Sequence, residues 1–319
     1  MAVYTRVTAE DLALFLARYD IGAPLSFKGI AEGVSNSNYL LDTDRARYIL
    51  TLYEHRTEEQ DLPWFLALMT HLADAGLPVP RPVADRAGEA LQTLNGKRAC
   101  IIEFLPGVSV SEPKPEDCRE AGRALAQLHN AVASFTAPRA NGLGPTNWPP
   151  MAARCEARLH EIDPGLKTLI NKALTITAAW PHTLPSGTIH ADLFPDNVLI
   201  QNGKITGLID FYFACTDIFA YDYAVTHAAW CFSADGHTHH TARAAALAHG
   251  YTKARAFSPQ EIAALPLLCT GAALRFTLTR AYDWLNTPAD AMVTRKDPMA
   301  FARRLAFYTE ATPSQLLGQ

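Results

Sequence analysis

The feature that most limits what this chain can become is a change of pattern near residue 105. Before it, short segments rich in branched and aromatic residues are cut by turn residues; after it, apolar residues recur at helical spacing. Between Leu25 and Tyr53, the turn residues Gly29, Gly33, Asp42 and Asp44 separate segments holding Ile30, Val34, Tyr39, Leu41, Tyr48, Ile49 and Leu52. That alternation predicts an antiparallel meander. Glu89–Leu94 and Ala99–Phe104 flank Asn95-Gly96. Both central residues of a type I′ turn need φ > 0, which Asn-Gly supplies readily, so a hairpin is expected. Two helices belong to this part. Thr8-Ala-Glu-Asp11 reads as a cap ahead of Leu12, Phe15 and Leu16, and Leu62, Phe65, Leu66, Met69 and Leu72 share a face before Gly76 and three prolines. Beyond Leu105-Pro-Gly107, helices are expected at about 115–134, 150–161, 164–180, 218–232, 240–251, 259–285 and 299–308. Strands first and helices after indicate an α+β chain rather than an alternating βαβ one. The division expected is a strand-rich lobe over 1–104 and a helical lobe over 105–319.

Composition narrows the function classes. With 319 residues, 49% hydrophobic and 19% charged, the chain can fill a large core and is neither disordered nor collagen-like nor a coiled coil. A net charge of -4 leaves no electrostatic footprint for nucleic acid. The richest apolar run, Ile262 to Leu274, is broken by Pro266 and is too short to span a bilayer, so no membrane partner is expected. The first twenty residues carry Glu10, Asp11 and Asp20 and do not read as a signal peptide. Six cysteines without a C-x-x-C pair read as reduced thiols of a cytoplasmic protein, Cys215 and Cys231 among them as packing groups. A homodimer and a monomer both remain open.

The chemistry is concentrated in Ile189-His-Ala-Asp-Leu-Phe-Pro-Asp-Asn-Val-Leu-Ile200 and in Gly207-Leu-Ile-Asp-Phe211. The first contains H-x-D-x-x-x-x-N through His190, Asp192 and Asn197; Asp210 follows thirteen residues later, after another apolar run. A loop between strands can present one carboxylate to a hydroxyl, while an amide and a second carboxylate face a metal. Phosphoryl transfer needs that set: Asp192 to take or orient the proton of the nucleophile, Asn197 and Asp210 to hold Mg²⁺ against nucleotide phosphates. A capped turn in which Asp and Asn satisfy their own backbone is the plainer alternative. It requires neither the histidine before Asp192 nor the Ile-Asp-Phe after Asn197.

With these residues in view, the chain resembles the protein-kinase-like small-molecule phosphotransferases, the group of aminoglycoside phosphotransferases and choline kinases. More narrowly it looks like the bacterial homoserine kinases built on that fold. The matching stretches include Gly33-Val-Ser-Asn-Ser-Asn-Tyr39, Tyr48–Glu54, Leu72–Pro82, His190–Leu199, Ile209–Cys215, Tyr221–Val225 and Leu274–Asp283. The resemblance implies ATP and Mg²⁺, with L-homoserine as acceptor in threonine biosynthesis. It implies that Asp192 is the catalytic carboxylate, His190 the structural histidine of its loop, and Asp222 a brace from the next helix. The strand ending near Glu103 and Leu105 would meet the adenine, and Gly33, Ser35, Asn36 and Ser37 would form a turn over the phosphates. One departure stands out: Thr51 occupies the place where many relatives carry Lys or Arg, which leaves Lys28, Arg47 and Arg81 as candidate cations.

A zwitterionic acceptor needs donors for its carboxylate and acceptors for its ammonium. Tyr212, Asp217, His227, Trp230, Arg275 and Arg280 are the candidates, against core packing, helix capping or internal ion pairs for each. The run Gly236-His-Thr-His-His240 is expected to be a solvated loop. A kinase for choline, ethanolamine, methylthioribose or an aminoglycoside is the alternative, and a nucleotide-binding scaffold the remaining one.

Overall fold

The computed structural model describes residues 5–30, 36–54, 58–287 and 295–319. The chain divides into two compact units, Met1–Pro106 with Gly207–Tyr212, and Gly107–Thr206 with Phe213–Gln319. The return of 207–212 to the first unit is a feature that a single cut after residue 104 does not contain.

In the first unit, Thr8 caps α1 (Ala9–Leu16): its hydroxyl accepts the Asp11 N–H at 3.2 Å, and the Asp11 carboxylate accepts the Thr8 N–H at 3.1 Å. That box satisfies donors the helix end would otherwise leave open. The meander follows as β1 (Pro24–Gly29), β2 (Asn36–Thr43) and β3 (Arg47–Tyr53). After α2 (Leu62–Asp74) come β4 (Pro82–Val83), β5 (Leu91–Leu94) and β6 (Lys97–Glu103). All six strands form one antiparallel sheet in the order β1-β2-β3-β6-β4, with β5 also on β6. Asn95 at φ 51° and Gly96 at φ 74° make the expected hairpin turn between β5 and β6. Period-2 alternation puts Tyr39, Leu41, Leu50, Leu52, Ala99 and Ile101 on one face, where they form one buried cluster with Leu12, Phe15 and Leu16 of α1.

The second unit holds α3 (Pro115–Ala131), α4 (Trp148–Cys155) and α5 (Leu166–Thr177), then β7 (Ser186–Ile189), β8 (Val198–Gln201), β9 (Lys204–Leu208), whose last two residues belong to the first unit, and β10 (Cys215–Ile218). Helices α6 (Phe219–Trp230), α7 (Thr241–Ala254), α8 (Pro259–Asn286), α9 (Met299–Tyr308) and α10 (Pro313–Leu316) follow. The helix expected over 150–161 is α4 followed by a 3₁₀ segment, Glu156–Glu161, and α10 is additional. Helices α3 and α7 approach closely through Gly122 and Gly250: a Cβ at either would collide with the backbone carbonyl of Leu247 or Arg119. Pro266 does not stop α8, which is long and apolar enough to cross a membrane but is mostly buried here and packs on α4, α5, α6 and α9. All six cysteines are free and buried.

Candidate active site

The site is built on two short strands. β7 and β10 pair antiparallel, with Ile189 opposite Cys215 and Asp217 opposite Gly187. β10 runs directly into α6, so the loop leaving β7 at His190 starts beside the first turn of that helix. Asp222, in that turn, is fully buried. Its two carboxylate oxygens accept the backbone N–H groups of His190 at 2.8 Å and Ala191 at 2.7 Å.

Ala191 takes φ 62°, the left-handed region that an L-residue with a Cβ enters at a cost of roughly 1–2 kcal/mol. Groups on both sides hold it there. Asp222 fixes its N–H, and Arg275 of α8, 2% exposed, donates from Nη1 to its carbonyl at 2.5 Å. Two residues on, the indole N–H of the buried Trp230 donates to the Leu193 carbonyl at 2.8 Å. Within the loop, His190 Nδ1 accepts the Asp192 N–H at 3.3 Å. Asn197, at the end of a 3₁₀ turn (Pro195–Asn197), donates from Nδ2 to the Asp192 carbonyl at 2.8 Å and to Asp192 Oδ2 at 3.1 Å. The amide nitrogen of Asn197 is thereby engaged with Asp192, which leaves its amide oxygen as the atom that could face a cation. The hairpin after it turns through Asn202 at φ 52° and Gly203 at φ 72°, and β9 leads to Asp210, itself at φ 65°.

A buried polar chain supports Asp222 from behind. His129 Nε2 lies 3.1 Å from Asp222 Oδ2, and His129 Nδ1 lies 2.8 Å from the Tyr251 hydroxyl. Arg255 donates to that hydroxyl at 3.1 Å and to the buried Glu261 at 2.8 Å. Burial would raise the Asp222 carboxyl, but the hydrogen bonds it accepts from His129 and from the His190 N–H outweigh it and hold Asp222 below the ordinary carboxylate range. Burial lowers His129, against the opposing pull of Asp222. The pair is therefore an ionised aspartate with a neutral histidine. The hydrogen-bond pattern assigns Nε2–H as donor to the carboxylate and Nδ1 as acceptor from Tyr251.

The acceptor candidates separate. Trp230 and Arg275 clamp loop carbonyls, so their contacts are with the protein itself. Asp217 accepts from Asn141 Nδ2 at 2.6 Å and from the Ile218 N–H at 2.7 Å, beside the cap of α6, and burial raises its carboxyl. Tyr212, in the first unit, donates to the Tyr53 hydroxyl at 3.2 Å and meets Tyr53 and Phe65 edge-on. His227 is buried, with Nδ1 2.7 Å from the Tyr308 hydroxyl. Its ring stacks on His239, so the run around 236–240 is not the fully solvated loop expected. Arg280 donates one long hydrogen bond among the described residues, to the Asp297 carbonyl at 3.3 Å.

On the nucleotide side, Gly33 and Ser35 lie outside the described residues. Asn36 and Ser37 are buried at the start of β2 rather than in a turn. Asn36 Oδ1 accepts the Glu54 N–H at 3.4 Å, and the Ser37 hydroxyl donates to Glu54 at 2.7 Å. Glu54 in turn pairs with Lys97 at 3.3 Å. Glu103 donates its N–H to the Arg81 carbonyl at 2.9 Å, and Leu105 is half-buried. Thr51 is buried and donates to Asn38 Oδ1 at 2.8 Å. Arg47 and Arg81 are taken by Asp42 at 2.6 Å and Asp74 at 2.7 Å, whereas Lys28 forms no ion pair among the described residues.

Sequence reasoning missed His129, Tyr251, Arg255 and Glu261. His129 was open to discovery: it continues the buried face of α3 that runs through Ala121, Leu125 and Leu128, and a histidine on such a face needs a partner.

An antiparallel-sheet unit, a helical unit and an H-x-D-x-x-x-x-N loop held by a buried aspartate define a protein-kinase-like phosphotransferase. The chain belongs to the phosphotransferase enzyme family (APH), whose profile matches residues 26–257. Homoserine kinase of Granulibacter bethesdensis is 54% identical to it, covering 98% of both chains, and homoserine kinase of Caulobacter vibrioides is 53% identical, covering 97% of this chain and 98% of the other. Among solved structures, an amicoumacin kinase superposes with a TM-score of 0.70 at 15% identity, over 95% of this chain and 94% of that one. A microcompartment-associated aminopropanol kinase does so with 0.67 at 19%, over 98% and 99%.

Proposed function

We propose that this chain transfers the γ-phosphoryl group of ATP to the hydroxyl of L-homoserine, giving ADP and O-phospho-L-homoserine. The observation that carries the acceptor is identity above one half, over nearly the whole chain, to relatives named homoserine kinase. The loop geometry supports the chemistry. In this reading Asp192 accepts the hydroxyl proton as the acceptor oxygen bonds to phosphorus, and the bridging electron pair leaves with ADP. Asn197 keeps the Asp192 carboxylate in one orientation.

The oxygens of Asn197 and Asp210 suit Mg²⁺, a hard cation that prefers carboxylate and amide oxygen. Among the described residues no group of three or more His, Cys, Asp or Glu side chains could hold a metal ion. The remaining ligands would therefore come from phosphate and water, as is usual for this ion beside a nucleotide. Bound there, Mg²⁺ supplies charge neutralisation of the transferring phosphates. The backbone around Glu103 and Leu105 takes the adenine. Lys28 supplies the cation that Thr51 does not. Alternation along the paired strands sets Lys28 on the same sheet face as Asn38 and Thr51, away from the α1 cluster.

The test is ADP release with ATP and Mg²⁺, offering L-homoserine, L-serine, choline, ethanolamine, methylthioribose and kanamycin separately. Turnover with L-homoserine alone is expected, with a loss of about 10³-fold or more in Asp192→Ala. Turnover confined to another alcohol would overturn the acceptor while leaving the loop's role intact.

A further inference from the structure

An acceptor that carries a carboxylate must be told apart from a plain amino alcohol, and the helical unit contains a cation with the right attributes. Arg280 and Arg304 flank one aromatic ring: their guanidinium carbons lie 4.4 Å and 4.5 Å from the centroid of Phe301. The two are not equivalent. Arg304 is buried, and its two terminal nitrogens donate to main-chain carbonyls, Ser233 at 2.9 Å, Ala300 at 3.2 Å and Ala234 at 3.4 Å, while its Nε has no partner among the described residues. Arg280 is half-buried and, among the described residues, makes a single long hydrogen bond, to the Asp297 carbonyl at 3.3 Å.

Among the described residues no carboxylate pairs with Arg280. The acidic groups whose charges reach it are Asp192, Asp297 and Asp196. Asp196 is paired with Lys296 at 3.7 Å and Asp297 with Arg303 at 3.8 Å, and Asp192 is the catalytic candidate itself. Among the described residues neither Arg280 nor Arg304 forms an ion pair. Burial and the like charge of Arg304 push the Arg280 guanidinium down to about 10, so it remains a cation at neutral pH. A partly desolvated cation beside a second cation, with most donors unspent, is poised to gain from an anion.

The place fits the chemistry. Arg275 of α8 holds the loop at Ala191, and Arg280 lies five residues further along that helix, roughly 7.5 Å along its axis at ~1.5 Å per residue. The hydroxyl and carboxylate of a four-carbon amino acid are about 5 Å apart when extended, given bonds of ~1.5 Å. We propose that Arg280 reads the carboxylate of the acceptor while Asp192 takes its hydroxyl, and that Arg304, through the shared Phe301 ring, positions Arg280. This assignment rests on the homoserine reading above.

The experiment is steady-state kinetics on the full chain with L-homoserine and with 3-aminopropan-1-ol, the same molecule without its carboxylate, used as substrate or as competitive inhibitor. In R280M the KM for L-homoserine is expected to rise between ~10- and ~100-fold, the effect of losing a charge-assisted contact. The constant for 3-aminopropan-1-ol and the KM for ATP should stay unchanged. R280K keeps the charge but not the fork and should fall between; it carries the same comparison if R280M does not fold. Equal losses on both ligands, an effect on ATP instead, or an unchanged KM for L-homoserine would each overturn the Arg280 assignment alone. A wild type silent on L-homoserine would overturn the acceptor and this inference with it.

Discussion

The catalytic loop and the nucleotide-side sheet keep their shapes by different means. In the sheet, neighbouring strands satisfy one another, and a buried polar side chain finds its partner on the next strand, as Thr51 does with Asn38. In the loop, the backbone between His190 and Leu193 is held by side chains far away in sequence: Asp222, Trp230 and Arg275. The sheet needs only alternation and turns, so many sequences can make it. The loop keeps a strained residue, Ala191, and needs a buried acid and a buried base to do so. Reactive geometry here is secured by groups that never touch the reacting atoms.

Removing the brace is the most severe way to break that contrast. Asp222→Ala would leave two buried N–H groups and His129 without their acceptor. Deleting one member of such a buried charged set costs about 3–5 kcal/mol, against total stabilities of roughly 5–15 kcal/mol for folded domains. Denaturant unfolding should show a loss of that size in the helical unit, and the folded fraction should have lost turnover. Full activity with unchanged stability would mean that the loop supports itself.

Acid should separate the two units more gently. Burial lowers His227 from 6.5 to about 3 and lowers His129 as well, so the folded protein binds fewer protons than the unfolded chain. Their stabilising contribution is complete above about pH 6.5 and is lost as pH falls. For His227 the loss is on the order of 2 kcal/mol at pH 5, at about 1.4 kcal/mol per pH unit. The first unit has one described histidine, His71, half-buried in the last turn of α2. Hydrogen exchange between pH 7 and 5 should therefore show protection falling first in α3 and α6. Uniform loss in both units would sink this account.

What was legible in the sequence follows the same division. Alternation, Asn95-Gly96 and the Thr8 cap are local signals, and the sheet unit appears in the structure where they placed it. The loop was visible as a motif because His190, Asp192 and Asn197 lie within eight residues. Its supports were not. Arg275 and Trp230 looked like substrate groups because a lone cation or indole in an apolar helix carries no mark of its partner. Their partners are backbone carbonyls, which no side-chain pattern announces. The Tyr251–Arg255–Glu261 chain joins α7 to the start of α8, and only tertiary packing places it behind His129. Asn36 and Ser37 were misplaced into a turn because small polar residues at a strand start resemble one; Glu54 on the paired strand's end accounts for their burial.

The finest test falls on the sheet side, where a single exposed cation is asked to replace a missing one. Thr51 is committed to Asn38, and Arg47 and Arg81 are committed to Asp42 and Asp74, which leaves Lys28 on the face those strands share. Lys28→Ala should raise the KM for ATP by about tenfold, the worth of one charge-assisted phosphate contact. It should leave the KM for L-homoserine and the melting temperature nearly unchanged, since an exposed side chain on β1 contributes little to stability. Lys28→Arg should restore most of the affinity because either cation can meet a phosphate. If Arg47→Ala or Arg81→Ala raised the KM for ATP and Lys28→Ala did not, those ion pairs must open in the nucleotide complex. The sheet would then resemble the loop in holding its functional charge through a partner rather than leaving it free.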